Sequence, residues 1–162
     1  MRFVLCVVTV DTRMKITEAL IAEHRIFLGV FEQIERVLPS LTTPAEVRTM
    51  AAIVEGMLLG HAAAETNLAY LALDHVLADR GQLERMHEDH HEIDARLKRV
   101  HIANTCTEMR RLLKAAIQSS REHFSYEERF VFPFLETKLV DETLTDLGRT
   151  WLQHVPAPQL AS

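Results

Sequence analysis

The sequence predicts an all-α protein, an up-down-up-down four-helix bundle followed by a short C-terminal helix. Five glycines and five prolines in 162 residues are about half the share of an average chain, too few for the turns of a β or α/β fold. Apolar residues recur at alternating spacings of four and three along several long segments, the repeat of helices that face a common core. The length suits one domain with one core.

Before the first helix, the apolar run Phe3 to Val10 follows Arg2. It is short and has no small-residue cleavage site behind it, so it does not read as an export signal. Residues 1–14 are read as an N-terminal extension, with Met14 as the alternative translation start. Residues 15–140 form the bundle and 141–162 a short helix and tail.

In the first helix Leu20, His24, Phe27, Phe31, Ile34 and Leu38 make one stripe. Thr43-Pro44-Ala45-Glu46 supplies an N-cap, a proline at the first helical position and a capping-box glutamate. The second stripe runs Val47, Ala51, Val54, Leu58, His61, Glu65, Leu68, Ala72. The third segment crowds Leu83, His87, His90, His91, Ile93, Asp94 and Leu97 onto two adjacent stripes. Thr105 to Glu108 reads as a second capping box. The fourth stripe is Met109, Leu113, Ala116, Ser120, His123, Glu127, Phe130, Phe134, with Pro133 expected to bend the helix by freeing the Arg129 carbonyl. A short amphipathic helix is expected around Glu142 to Gln153, before a fraying tail from His154 to Ser162.

Eighteen Lys and Arg against 23 Asp and Glu give a net charge of −5 with no basic block, which argues against a nucleic-acid partner. No apolar run approaches the roughly 18 residues of a membrane span. Cys6 and Cys106 cannot build a disulfide framework, a cysteine zinc knuckle or an iron-sulfur site. A reducing, cytoplasmic setting fits this usage.

Nine histidines are the anomaly. His24, the pair His61-x3-Glu65, the pair His87-x3-His91 and the pair His123-x3-Glu127 lie on or beside the core stripes. Spacing i, i+4 puts both members of a pair on one helix face. In antiparallel neighbours, residues at one height lie symmetrically about the intervening turn. The midpoints near residues 43 and 107 fall beside expected loops, and the one near 76 places the turn between the second and third helices around Asp74 to Arg80, so the seven groups can share one level. Buried carboxylates and imidazoles without a compensating charge cost several kcal/mol. Their convergence therefore points to metal, and seven donors suit two cations better than one. Taken singly, His24 would read as a packed core histidine, and each pair as a solvated contact worth a few tenths of a kcal/mol. His75, His101 and His154 read as surface or helix-end residues, His90 as solvated or supporting a ligand. Asp94 reads equally as an orienter of a ligand imidazole or a surface carboxylate.

This series resembles the hemerythrin-like family, the HHE cation-binding domains, and His123-Phe-Ser-Tyr-Glu127-Glu-Arg-Phe-Val-Phe-Pro133 is similar to its fourth-helix motif; the likeness covers about Lys15 to Leu139. The resemblance implies two iron ions, a non-haem di-iron centre bridged by Glu65, Glu127 and an oxo or hydroxo group. It further implies that His87, His91 and His123 cap one iron while His24 and His61 hold the other, which keeps an open position. The expected function is binding or sensing of dioxygen or a related small oxidant, with nitric oxide as the other small ligand. The pocket walls, inferred from helical phase, are Leu28, Phe31, Leu58 and Phe124, and Tyr126 points away from the core line.

The His-x3-Glu form of the fourth helix departs from the longer spacing, ending in Asp, of the oxygen-carrier members. It is shared with relatives concerned with nitric-oxide stress, iron sensing and iron-sulfur repair. The alternative is thus a redox-active di-iron protein for nitric-oxide or peroxide stress, or for iron donation to damaged centres. The cysteine-containing N-terminal domain of many repair-type members is missing from this sequence, and five histidines match the oxygen-binding ligand set. A ferritin-like carboxylate site fits poorly, because Glu84-x-x-His87 and Glu88-x-x-His91 lie on one helix and His24 and His61 are left idle. A mononuclear zinc protein is disfavoured by the ligand number.

Overall fold

The computed structural model describes residues 13–75 and 83–154, and every regular element among them is helical. α1 (Ile16–Val37) ends in a 3-10 turn at Leu38–Ser40. α2 (Pro44–Ala64) continues through a π-turn at Glu65–Tyr70 into the short α3 (Leu71–Asp74). α4 (Glu84–Ile102) precedes α5 (Cys106–Tyr126), which passes through a second π-turn at Glu127–Val131 into α6 (Phe132–Lys138). α7 (Asp141–His154) is the last described element. Residues 1–12, the turn expected around residue 76 and the tail beyond residue 154 lie outside the described residues. No helix among the described residues is long and apolar enough to cross a membrane.

The start of α2 is made as its sequence dictates. Thr43 Oγ1 accepts from the Glu46 amide at 3.3 Å and the Glu46 carboxylate accepts from the Thr43 amide at 2.9 Å. At α5 only half of the expected capping box forms. Thr105 Oγ1 accepts from the Glu108 amide at 3.2 Å, but the Glu108 side chain turns to Arg111, at 2.6 and 2.9 Å. A two-point ion pair with a guanidinium competes successfully with a single backbone amide.

The core is divided. One apolar cluster gathers Phe31 and Ile34 of α1, Val47 and Val54 of α2, Leu97 and Val100 of α4 and Met109 and Leu113 of α5. A second gathers Leu20 of α1, Tyr70 and Leu73, Met86 of α4, Phe132, Leu135 and Leu144. Between them lies a layer in which His24, His61, Glu65, Ser120, His123 and Glu127 are buried. The ends are tied by polar contacts. The Arg110 guanidinium donates to the carbonyls of Pro39 and Leu41, and Cys106 Sγ to that of Thr42. Thr17 donates to Glu136 at 2.6 Å and Lys15 to Asp141 at 2.7 Å.

The two π-turns correct the expected stripes. Each inserts one extra residue per turn, so the inward face moves on by one position beyond it. Ala69, Tyr70 and Leu73 are buried where Leu68 and Ala72 were expected, and Val131, Phe132 and Leu135 take the place of Phe130 and Phe134. Phe130 is 51% exposed. Pro133 stands at the start of α6, just past the second π-turn, so the carbonyl it cannot satisfy belongs to the widened turn.

α7 packs on α1 and meets the beginning of that helix through Gly148, where a Cβ would overlap the Met14 carbonyl oxygen. Gly148→Ala is expected to destabilise the fold by about 1–3 kcal/mol, the usual cost of overpacking. Urea unfolding of the variant measures it, and an unchanged midpoint would contradict the close approach.

Candidate metal centre

Six side chains from four helical segments converge in the buried layer. His24 comes from α1, and His61 from the last turn of α2. Glu65 and Glu127 are each the first residue of a π-turn, and His123 is one turn before Glu127. The sixth is His90 of α4. Five of the seven expected donors therefore come together, and on the third helix His90 faces the layer where His87 and His91 were expected. His91 is exposed, and His87 is half-buried with its ring 5.6 Å from that of Tyr70. The physical reason is helical phase. Leu83, Met86, His90, Ile93, Leu97 and Val100 alternate at spacings of three and four, and this is the stripe that faces the core. The same alternation was present in the sequence but was obscured by the histidines on either side.

The imidazoles meet in pairs. Nε2 of His24 lies 2.9 Å from Nε2 of His61, and Nε2 of His90 lies 2.9 Å from Nε2 of His123. In three of these rings the other nitrogen faces a carboxylate. His24 Nδ1 is 2.9 Å from Glu128, His61 Nδ1 is 2.9 Å from Glu23, and His123 Nδ1 is 3.5 Å from Asp89. A carboxylate holds the proton on Nδ1 and turns the Nε2 lone pair inward. Two such lone pairs at this distance repel unless a positive charge lies between them. Two nitrogens each about 2.1 Å from one cation, at a right angle, would be about 3.0 Å apart.

Glu65 joins the pairs. Its Oε1 is 3.0 Å from His61 and 3.7 Å from His24, and its Oε2 is 3.2 Å from His90 and 3.9 Å from His123. Glu127 is different. Its Oε1 accepts from the Tyr70 hydroxyl, which leaves Oε2 between the two sides, 3.5 Å from His24 and 3.4 Å from His123. Both carboxylates are fully buried. Glu65 Oε1, Glu65 Oε2 and Glu127 Oε2 nevertheless accept no aligned hydrogen bond. Orphaned buried carboxylate oxygens beside converging imidazole nitrogens are a donor set that fits cations. His24, His61, Glu65 and Glu127 form one group able to hold a metal, and Glu65, His90 and His123 form another.

Residues 15–135 match the family profile of the hemerythrin HHE cation-binding domain. The chain belongs to that family. No curated protein and no solved structure matches it. A His/Glu cluster at the heart of a hemerythrin-like domain fits a metal-binding protein.

Two features of this hemerythrin-like centre were not legible from ligand spacing. Tyr70 enters only because the π-turn brings it inward, whereas Tyr126 stands outside under the Arg85 guanidinium, 4.3 Å from its ring. Glu23, Glu128 and Asp89 are sequence neighbours of His24, Glu127 and His90, and each steadies an imidazole on another helix. Asp94 does not orient a ligand; it pairs with Lys98 at 2.6 Å. Of the expected pocket walls, Leu58 and Phe124 line the cavity beside the centre, while Leu28 packs against the apolar core and Phe31 stacks on Phe124. His101 faces Glu55 at 3.1 Å.

The electrostatics of these side chains are divided in the same way. Burial disfavours a charge on His61, but Glu65 and Glu23 outweigh it and lift the imidazole to about 9. Burial likewise opposes the Glu65 charge, yet His61 and the neighbouring imidazoles hold that carboxyl well below its usual range. Burial and the Glu65 charge push Glu127 well above it. Burial lowers His90. Burial and the charges of Glu65 and Glu127 raise Tyr70, which keeps it a hydrogen-bond donor.

For a group raised on folding, the stability gained is complete below its unfolded pKa and is lost as pH climbs through the folded one. The metal-free protein should therefore lose stability between about pH 6.5, the unfolded histidine value, and about 9 for His61, measured by urea unfolding across that range. A flat profile would contradict the coupling of His61 to Glu65. His90→Ala is expected to lose at least half of the bound metal on dialysis, while His91→Ala retains it. The reverse outcome would restore the spacing-based assignment.

Proposed function

We propose that the protein holds two iron ions and binds dioxygen or a related small oxidant, nitric oxide included, at a position its own side chains leave open. The observation that carries the reading is the pair of Nε2 to Nε2 approaches, each 2.9 Å, joined by one carboxylate whose two oxygens divide between them. His24 and His61 would hold one ion, His90 and His123 the other, and Glu65 and Glu127 would be shared, with an oxo or hydroxo group completing the bridge. Two imidazoles and two carboxylates would leave room for a small ligand on each ion, as in non-haem iron sites with open positions. When bound, such an iron pair supplies one electron from each ion to an oxidant.

The chain's own residues prepare that chemistry. Glu23, Glu128 and Asp89 keep protons on the outer imidazole nitrogens. Tyr70 occupies one Glu127 oxygen and leaves the other to the cations. Phe124, stacked on His24 with ring centres 4.0 Å apart, and Phe27, edge-on to His61 at 5.2 Å, exclude water. The contacts tying the loop after α1 to the start of α5, and α1 to α6 and α7, support an up-down-up-down arrangement, and cysteine usage supports a cytoplasmic setting.

A second reading gains from the structure. Four histidines enter the layer, so the five-histidine set that favoured oxygen carriage is incomplete. Three outer carboxylates add negative charge, which favours the more highly charged oxidised metal. A redox role in nitric-oxide or peroxide stress, or iron donation for repair, follows from that balance.

Anaerobic reconstitution with ferrous iron, followed by metal counting and optical spectra through air exposure and renewed deoxygenation, separates the readings. Two irons per chain with a charge-transfer band that vanishes on deoxygenation supports reversible binding. Irreversible oxidation supports the redox role, and one metal or none contradicts both. Glu65→Ala is expected to lose the dinuclear site while the helical circular dichroism persists at reduced stability; two irons retained in that variant would refute the bridging role.

A further inference from the structure

Cavities on either side of α2 reach the buried layer, and they differ in what they touch. One of about 670 Å³, between α1, α2 and α7, meets the layer only at His61, where Glu23 already holds the outer nitrogen. The other, of about 380 Å³, lies between α2 and α4 and ends on His61, His90 and His123, so its floor spans both imidazole pairs. Six waters at about 30 Å³ each make roughly 180 Å³, so this second cavity has room for a hydrated ion.

The second cavity is graded from outside to inside. Leu58, Ile93, Leu97 and Phe124 give it apolar walls. At the outer end stand the exposed His91 and the half-buried Glu55 and Asp94, and at the inner end the buried His61 and His123. Glu55 meets His101 through Oε2 and Asp94 meets Lys98 through Oδ2, which leaves one oxygen of each carboxylate without a partner among the described residues; the His91 ring has none either. Fixed charge along the path is negative. Glu55 and Asp94 line it, Glu65 lies beneath the floor with Oε2 3.2 Å from His90, and Glu23, Asp89 and Glu128 back the imidazoles. Lys98, Arg85 beside Asp89 and the proton held on His61 offset only part of this. A cleft of one sign with low-dielectric walls focuses its field and speeds the arrival of the opposite charge.

We propose that this cavity is the path by which hydrated ferrous ions enter the layer, taken up at the outer end by Glu55, Asp94 and His91 and passed to His90 and His123 on the floor. The inference rests on the two-metal reading above and adds the route by which the centre fills. Carboxylate oxygen and imidazole nitrogen are donors that a divalent metal accepts in place of water. The outer three do not form a resident site, because among the described residues only the layer brings three or more donors within reach of one ion. They therefore set the rate of loading and not the affinity of the filled centre.

The test mixes the metal-free full-length chain with ferrous iron under argon and traps unbound ion with bipyridine at timed intervals. Glu55→Gln combined with Asp94→Asn is expected to load at least ten-fold more slowly than wild type at low salt, with the difference shrinking toward about 1 M salt, where the screening length falls to about 3 Å. Leu59→Trp, at a position 71% exposed and therefore tolerant, and Ala62→Trp should slow loading at any salt. Ala63→Trp, on the wall of the other cavity, should load at the wild-type rate, and every variant should finish with two irons and the wild-type affinity. Unchanged loading in the double variant, or in both Leu59→Trp and Ala62→Trp, would overturn the route and leave the metal reading intact. So would slowing by Ala63→Trp as large as that by Ala62→Trp. A wild-type chain that takes up fewer than two irons would overturn the metal reading, and the route with it.

Discussion

Six ionisable side chains in a dry layer cannot satisfy one another, and that constraint organises the molecule. Two carboxylates and four imidazoles, packed between two apolar clusters, meet nitrogen to nitrogen and leave three carboxylate oxygens without a hydrogen bond. Replacing such a layer with aliphatic side chains would ordinarily stabilise a bundle. Its retention on every long helix means that folding delivers the layer at some cost, and that cations supply the missing charge.

The helices carry the layer by local means. Each long helix contributes from one stripe, and the two buried carboxylates sit where the helix widens into a π-turn. The widening turns the following residues by one position. In the second helical segment this delivers Tyr70 to Glu127, and in the fourth it buries Val131 and Phe132 in the closing cluster. The outer carboxylates are supplied with equal economy, because each is adjacent in sequence to a residue of the layer and reaches the imidazole of a different helix. Helix identity, ligand orientation and packing are thereby coupled, so a shift of one helix would disturb its neighbour's imidazole.

Much of this was legible in the sequence. The 4/3 alternation located the helices, and the symmetry of His24, His61/Glu65, His87/His91 and His123/Glu127 about the turns put seven groups at one level, of which His24, His61, Glu65, His123 and Glu127 come together. What failed, failed for identifiable reasons. Adjacent histidines at 87, 90 and 91 gave three candidate phases, and i, i+4 spacing favoured the pair that the apolar stripe does not support. Met86, Ile93 and Leu97 settle the phase on His90. The π-turns are invisible to a fixed 3.6-residue period, so Phe130 was assigned to the core and Tyr70 was missed. Half a capping box was lost at Glu108 because Arg111 lies within reach on the same helix face.

The most direct test of the paired-imidazole centre is anomalous diffraction at the iron edge from crystals of the iron-loaded protein. Two peaks about 3.5–4 Å apart, one bounded by His24 and His61 and the other by His90 and His123, with Glu65 between them, are predicted. A single peak, or a second iron held by His87 and His91 in place of His90, would contradict it.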